Sequence, residues 1–133
     1  MVLKKYSLLL LFSVVMAHTS SAQSYQEYVA LFELHYQTNG HDWNKKWNFD
    51  IPVYMWEGVT VENGHVVALD LSDNNLEGKI PLTFAYLKHL KHLNLSGNKL
   101  KGKLSRGFGK LVKLESLNLA DNNLTGKLPK RLA

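Results

Sequence analysis

VVALDLSDNNLEGKIP begins at Val66, LKHLNLSGNKLKGKLS begins at Leu90, and LESLNLADNNLTGKLP begins at Leu114. The offset between these stretches is constant, because 90 − 66 and 114 − 90 both equal 24. A fixed period of this length predicts a solenoid, in which each unit stacks only on its neighbours. The alternative to a solenoid is an amphipathic helix whose leucines have this spacing by coincidence. Helix spacing does not need Asn and Gly at fixed columns, however, and Gly weakens a helix.

The columns of the repeat predict what each position does. Leu69 and Leu71 lie two residues apart, so both face one side of a short strand, and the later copies repeat this pair. Stacked strands then form a parallel sheet with a leucine core. An asparagine amide both donates and accepts hydrogen bonds, so a column of asparagines can pair the polar backbone of successive turns. This structural ladder is Asn74, Asn98 and Asn122.

The phrase LxxLxLxxNxLxGxIP resembles the plant-type leucine-rich repeat, which also occurs in bacterial secreted proteins. The predicted fold class is α/β: a solenoid of short parallel strands with an irregular or 3-10 convex side and a helical N-terminal cap. WEGVTVENGHVVALDL, beginning at Trp56, is similar to the cap that leads into such repeats. The two cysteines of the plant cap are replaced here by Tyr54 and Val61, so the resemblance favours a cysteine-free, bacterial-like cap.

The N-terminal cap is predicted to contain one helix and one hairpin. Ser24 is followed three residues later by Glu27, which is a capping-box signal, and the helix is expected from about Tyr25 to Thr38. Its apolar side should cover the open end of the first coil. Asn63-Gly64 lies between two β-rich runs and predicts a two-residue hairpin turn. The residues at helical spacing are Tyr28, Leu31, Phe32 and His35.

Two tryptophans, Trp43 and Trp47, fall in the cap loop after the helix. Exposed aromatic faces stack on sugars, so a carbohydrate platform is one interpretation. Packing inside the cap core is the favoured one, and the resemblance supports it, because bacterial caps of this kind usually carry an NGxxW stretch here.

Residues 1–22 are predicted to be a signal peptide. Lys4 and Lys5 precede an apolar run from Leu8 to Val15, and cleavage is expected after Ala22. The protein is therefore expected to be secreted, periplasmic or at the cell surface. The remaining domain organisation is a cap at 23–65 and repeats at 66–89, 90–113 and an incomplete 114–133. The chain has no cysteine, so no disulfide or thiolate chemistry is expected.

Charge divides the exported part of the chain into an acidic and a basic half. Residues 23–85 hold three lysines and nine acids, a net of −6, whereas residues 86–133 hold eleven Lys and Arg and two acids, a net of +9. A basic cluster of this size could hold an anionic glycan or an acidic protein, and a merely solvated face is the alternative. No nucleic-acid partner is expected, because no nucleic-acid motif is present.

The outward strand positions of the repeats are predicted to form a concave ligand-binding surface, as is usual for solenoids. The patch is mixed in charge and small, since three strands supply it. The predicted contact residues are Asp70, Lys91, His92, Asn94, Glu115 and Asn118.

Catalytic and metal-binding signals are weak. Gly97 to Lys103 matches GxxxxGK, but Leu104 stands where a phosphate loop needs Ser or Thr, and the repeat itself explains the match. The closest histidine clusters, His41-Asp42 and His89-x-x-His92, lack metal-ligand spacing. We therefore expect no enzyme activity, no metal site and no cofactor.

The predicted function is an exported recognition module for a protein, peptide or anionic glycan. Two alternatives stay open: the front end of a longer surface receptor or enzyme, and a structural or adhesive surface protein. The third repeat stops at Ala133, short of its period, which is 114 + 24 − 1 = 137. The chain is therefore expected to be a fragment, or else to self-associate through the open edge of its last coil.

Overall fold

The computed structural model describes residues 24–132, so the predicted signal peptide and its cleavage site lie outside the described residues. An α-helix, α1 (Tyr25–Gln37), opens this range. Short 3-10 helices follow in the cap and on the convex side of each repeat. The strands are β1 (Val59–Glu62), β2 (His65–Asp70), β3 (Glu77–Gly78), β4 (His92–Asn94), β5 (Lys99–Lys103), β6 (Ser116–Asn118) and β7 (Asn123–Thr125).

The strands form two narrow sheets, one on each side of the coils. The first has the order β1-β2-β4-β6, with the three repeat strands parallel and β1 antiparallel to β2. The second has the order β3-β5-β7 and is parallel. Leu69 pairs with Leu93, and Leu93 pairs with Leu117, so each coil sits directly on the one before it. The predicted α/β repeat solenoid is confirmed.

The asparagine column pairs the backbone of neighbouring coils. The Asn98 amide nitrogen donates to the carbonyls of Leu71 at 2.8 Å and Leu95 at 2.9 Å. Its Oδ1 accepts from the N–H groups of Asn74 at 3.0 Å and Leu76 at 2.9 Å. Backbone groups turned into the core are thereby satisfied without water.

The cap continues this column as if it were one further coil. Asn74 Oδ1 accepts from the N–H of Lys45 in the cap loop, where a preceding repeat would otherwise supply the donor. The neighbouring Asn44 donates its backbone N–H to the Asn74 carbonyl at 3.3 Å and its side-chain amide to the Asp73 carbonyl at 3.1 Å. The cap loop therefore supplies hydrogen bonds to the first coil, in addition to the apolar contacts of the cap.

The buried face of the capping helix α1 coincides only in part with the predicted one, since Leu31 is buried and Tyr28 and His35 are half-buried. Its buried residues are Glu27, Ala30, Leu31 and Leu34, whereas Phe32 is 46% exposed. The predicted set began at Tyr28, whereas the buried set begins at Glu27. A search for apolar residues could not include Glu27, because its side chain is a carboxylate. The Ser24 side chain makes no capping hydrogen bond, so the full capping box predicted here is wrong.

The cap tryptophans form an aromatic core. Trp43, Trp47 and Trp56 are 1%, 6% and 3% exposed, and each indole N–H donates to a backbone carbonyl. The Trp47 and Trp56 rings stack at 4.8 Å, and His35 packs edge-on to Phe49 at 4.8 Å. The interpretation of Trp43 and Trp47 as a carbohydrate platform is wrong, since their faces are covered by other rings.

The glycine that opens the GxxxxGK match serves a turn of the repeat. Gly97 has φ 67°, and the equivalent residues Asp73 and Asp121 have φ 50° and 54°. A Cβ on Gly97 would lie 1.9 Å from Asp73 Oδ1, so the aspartate of the preceding coil occupies that space. The left-handed turn and the neighbouring Asp73 side chain account for the glycine here, without a phosphate.

No helix within residues 24–132 combines the length and apolar composition needed to cross a bilayer.

Candidate functional site

The concave sheet presents two rows of outward side chains. In the first row Ala68 lies beside His92, and His92 lies beside Ser116. In the second row the neighbours are Asp70, Asn94 and Asn118. Leucines at 69, 93 and 117 alternate with these residues and point into the core, because successive side chains of a strand face opposite ways.

The second row is held by local hydrogen bonds at each strand end. Oδ1 of Asp70, Asn94 and Asn118 accepts the N–H two residues further on, at 3.0, 3.1 and 3.1 Å. Since Oδ1 is held by the strand end in each case, the NH₂ groups of Asn94 and Asn118 remain for other partners. Asn94 directs its NH₂ group to Asp70. These fixed side chains lose little conformational entropy when a ligand binds.

Asp70 supplies the acidic end of this row. The Ser72 hydroxyl donates to Asp70 Oδ1 at 2.7 Å, and this bond is the main cause that lowers the pKa of the carboxyl. The Ser72 N–H, the charge of Lys45 and the Asn94 amide act in the same direction. Asp70 is therefore ionised at neutral pH and can accept a donor from a ligand.

The first row contains a polar pair at its centre. His92 Nδ1 lies 2.9 Å from Ser116 Oγ, and His92 Nε2 lies 3.9 Å from Glu115 Oε2. His92 and Glu115 are 54% and 64% exposed, so solvent screens their attraction. The pair offers hydrogen bonds at the surface, and its imidazole is open to a ligand.

These rows enclose a shallow groove of about 380 Å³. Of the predicted contact residues, the structure brings Asp70, His92, Asn94 and Asn118 together there. Lys91 and Glu115 lie outside the lining, because they precede the strand positions that face the groove. The lining is Ala68, Leu69, Asp70, His92, Leu93, Asn94, Ser116, Leu117 and Asn118.

Sequence reasoning missed a second column, which runs from coil to coil and meets the cap at its His65 end. His65, His89 and Lys113 are 24 residues apart in turn, since 89 − 65 and 113 − 89 both equal 24. The two imidazoles stack at 3.6 Å, and Lys113 Nζ lies 3.2 Å from His89 Nδ1. His89 thus contacts both His65 and Lys113. The 24-residue spacing of these three residues could have revealed the column from the sequence.

Glu27 of α1 closes this column at the cap end. Its carboxylate is 2% exposed and lies 3.5 Å from His65 Nδ1. Burial raises the pKa of Glu27, while His65 and the backbone N–H groups of Val66 and Ser24 act against that rise. The pKa of His89 is lowered, first by burial and then by the charges of His65 and Lys113. This column holds the cap to the repeats.

The site is equipped for hydrogen bonding. Within residues 24–132, no group of three or more His, Asp or Glu side chains is placed to hold a metal ion. His41 pairs with its neighbour Asp42 at 3.5 Å on the surface. The groove therefore offers amides, a hydroxyl, an imidazole and a carboxylate to a ligand.

Comparison with known proteins identifies the repeats. The leucine rich repeat family matches residues 64–124. The BIR2 ectodomain from Arabidopsis thaliana is 32% identical with a TM-score of 0.66, covering 77% of this chain and 58% of that one. The ectodomain of the receptor kinase GASSHO1/SCHENGEN3, from the same plant and in complex with CASPARIAN STRIP INTEGRITY FACTOR 2, is 41% identical with a TM-score of 0.59. It is matched over 65% of this chain and 11% of its own.

A third similar structure is the ectodomain of the Arabidopsis receptor kinase HAESA in complex with a peptide hormone ligand. It is 35% identical, with a TM-score of 0.51, over 56% of this chain and 13% of that one. The chain thus spans less than two thirds of the length of each of these structures. No curated protein matches the sequence.

The stacked coils, the asparagine ladder and the concave sheet define a repeat solenoid. Residues 64–124 of the chain are leucine-rich repeats, and these repeats are of the plant type.

Proposed function

We propose that this protein is an exported recognition module that binds an extended peptide or protein segment in the concave groove, without catalysis of its own. The observation that carries the proposal is the row of Asp70, Asn94 and Asn118, whose side chains are fixed by the strand ends beside an open groove.

The groove suits an extended chain. The strands that line it lie about 4.8 Å apart, so the row offers one polar side chain about every 4.8 Å along the groove. A peptide carries donors and acceptors in alternation, which match the Asp70 carboxylate and the asparagine amides. The groove spans only three strands, so a stable interface of about 800 Å² per partner is out of reach for this surface alone. We expect weak, reversible binding.

The comparisons support a peptide or protein as the ligand class. Two of the similar ectodomains are described in complexes, one of them with a peptide hormone ligand. The similar proteins are ectodomains, which agrees with the export predicted from residues 1–22.

The test of groove binding is a selection of random peptides on the wild-type protein, followed by affinity measurement on variants. Asn94→Lys with Asn118→Lys should weaken binding of the selected peptides by about tenfold or more, because two long cations enter the groove. The matched control is Val112→Lys, at a site 65% exposed on the convex side. Peptides that bind the groove variant and the control equally would contradict the proposal.

Export has its own test. Residues 1–22 are fused to a reporter that is active only outside the cytoplasm, with and without Leu10→Arg and Leu11→Arg. The two charges interrupt the apolar run, so we expect the reporter activity to disappear. An active double variant would remove the signal-peptide prediction.

A further inference from the structure

A cluster of lysines lies on the outer side of the β3-β5-β7 sheet, away from the concave groove. Lys99, Lys101 and Lys103 are exposed along β5, while Leu100 between them is buried. Side chains two residues apart on a strand are about 6.6 Å apart and face the same way. Lys79 and Lys127 extend this lysine face on either side of β5.

The stems of two of these lysines are held against glycines of the next coil. A Cβ on Gly102 would lie 3.4 Å from Lys79 Cγ, and a Cβ on Gly126 would lie 3.1 Å from Lys103 Cγ. Each stem therefore lies over the glycine of the following coil. This packing orders the stems before any ligand arrives and reduces the entropy lost on binding.

The charge of the lysine face is not neutralised by its surroundings. None of its five lysines forms a salt bridge within the part of the chain that the structure describes. Glu77 is the acidic residue of this sheet, so five lysines and one carboxylate leave a net charge of +4. Like charges about 5–7 Å apart repel one another, and a polyanion would relieve that repulsion.

The rest of the face favours an acidic polysaccharide over the other polyanions. Its remaining outward residues include Asn123 and Thr125, which can hydrogen-bond sugar hydroxyls. A membrane-binding face would also carry apolar or aromatic side chains for insertion. Single-stranded nucleic acid is usually held by aromatic platforms for its bases. The strands β3, β5 and β7 contain no aromatic residue.

We infer that the lysine face is a second binding surface, specific for a linear polysaccharide that carries sulfate or carboxylate groups. It is separate from the peptide groove, because the lysines lie on the β3-β5-β7 sheet and the groove is lined by β2, β4 and β6. A failure of groove binding would leave this inference standing.

The experiment measures binding of the mature protein to labelled heparin and oligogalacturonate fragments over a series of salt concentrations. The face variant is Lys101→Gln with Lys103→Gln. The matched control, Lys46→Gln with Lys88→Gln, removes two exposed lysines elsewhere and changes the net charge equally. Vesicles containing phosphatidylserine and a single-stranded oligonucleotide are the competing probes. Circular dichroism establishes that both variants keep the fold.

We expect the face variant to bind at least one polysaccharide about tenfold more weakly than wild type. The slope of log K for binding against log salt concentration should become about two less steep, one for each lysine contact removed. The control should stay within about twofold of wild type, because distant charges are screened. Equal losses in both variants, or no binding to either polysaccharide, would overturn the inference. Tighter binding to vesicles or oligonucleotide than to the polysaccharides would overturn it as well.

Discussion

The Asn98 side chain pairs four backbone groups that belong to buried residues: the carbonyls of Leu71 and Leu95 and the N–H groups of Asn74 and Leu76. No other side chain type of this size both donates twice and accepts twice. The requirement is set by the backbone path, because each coil turns inward at this column. A leucine of similar volume would leave three of these groups unpaired, because the Leu95 carbonyl also accepts from the Asn122 amide at 2.8 Å.

Replacing Asn98 by Ala should lower the free energy of unfolding by about 3–5 kcal/mol, since each unsatisfied buried group costs about 1–3 kcal/mol. Urea unfolding followed by circular dichroism measures the change. Asn123→Ala is the matched control, because Asn123 is exposed on β7 and should change stability by less than about 0.5 kcal/mol. Equal effects of the two substitutions would mean that the column is not essential.

The cap helix α1 and the first coil meet through their backbones at the end of the helix. Glu77 donates its N–H to the Thr38 carbonyl at 3.2 Å, and Gly78 lies next in the chain with φ 138°. A Cβ on Gly78 would lie 2.1 Å from the Gln37 carbonyl oxygen. The close approach of α1 therefore depends on the missing side chain.

Gly78→Ala should destabilise the protein by about 2–4 kcal/mol, because neither the backbone oxygen nor the left-handed φ can relax cheaply. Thermal unfolding compares it with Gly109→Ala, where a Cβ would meet Pro129 Cβ at an ordinary 3.6 Å. The control should be neutral or slightly stabilising. If both variants melt alike, the packing of α1 on this coil is looser than the structure indicates.

His35 adds a pH dependence to the cap. Burial among the cap aromatics, and then the charge of His41, lower the pKa of His35 from its usual 6.5. The unfolded chain therefore binds this proton more tightly than the folded chain. The contribution of neutral His35 to the free energy of unfolding is fully present above pH 6.5. It is lost as the pH falls from 6.5 to the pKa of His35 in the folded protein.

The measurement is urea unfolding at neutral and at mildly acidic pH for wild type and His35→Phe. We expect wild type to lose more stability on acidification than the variant, because the variant has no proton to take up. His89, whose pKa is also lowered, is present in both proteins and gives the variant a residual loss. A pH dependence unchanged by the substitution would contradict a neutral, buried His35.

At the scale of the whole molecule, cap and repeats share one apolar core. Phe84 and Phe108 of successive coils stack at 5.3 Å with rings 6° apart, and both are buried. The three tryptophans lie in the cap, so their fluorescence reports on that end alone. Unfolding of the repeats should therefore be visible at the cap if the core is continuous.

Phe108→Ala should lower stability by about 3–5 kcal/mol through the cavity it leaves. Tryptophan fluorescence and circular dichroism should report the same shifted midpoint, as expected for a small cooperative domain. Val112→Ala, at an exposed convex position, is the control and should leave both midpoints in place. A fluorescence midpoint that stays at the wild-type value would mean that the cap unfolds independently.

The repeat columns predicted the solenoid and four of the residues that line the groove, because they depend on local alternation and a fixed period. Leu69 and Asp70 face opposite ways in any strand, and the stacking of coils repeats that choice. The same reasoning placed Lys91 and Glu115 in the contact patch, although they lie beside the groove. Each of them precedes an outward strand residue, His92 or Ser116, and neighbouring side chains of a strand face opposite ways.

What the sequence determined by itself is the coil: its leucines, its asparagine and its turning glycine follow from backbone sterics and hydrogen bonding within one repeat and its copies. What only the tertiary structure decided is the contact between unlike parts. Glu27 against His65, the tryptophans against one another, and the lysine stems across the glycines join residues with no shared period or far apart in the chain. Such contacts depend on how the cap docks and how the coils stack, and no local pattern contains that geometry.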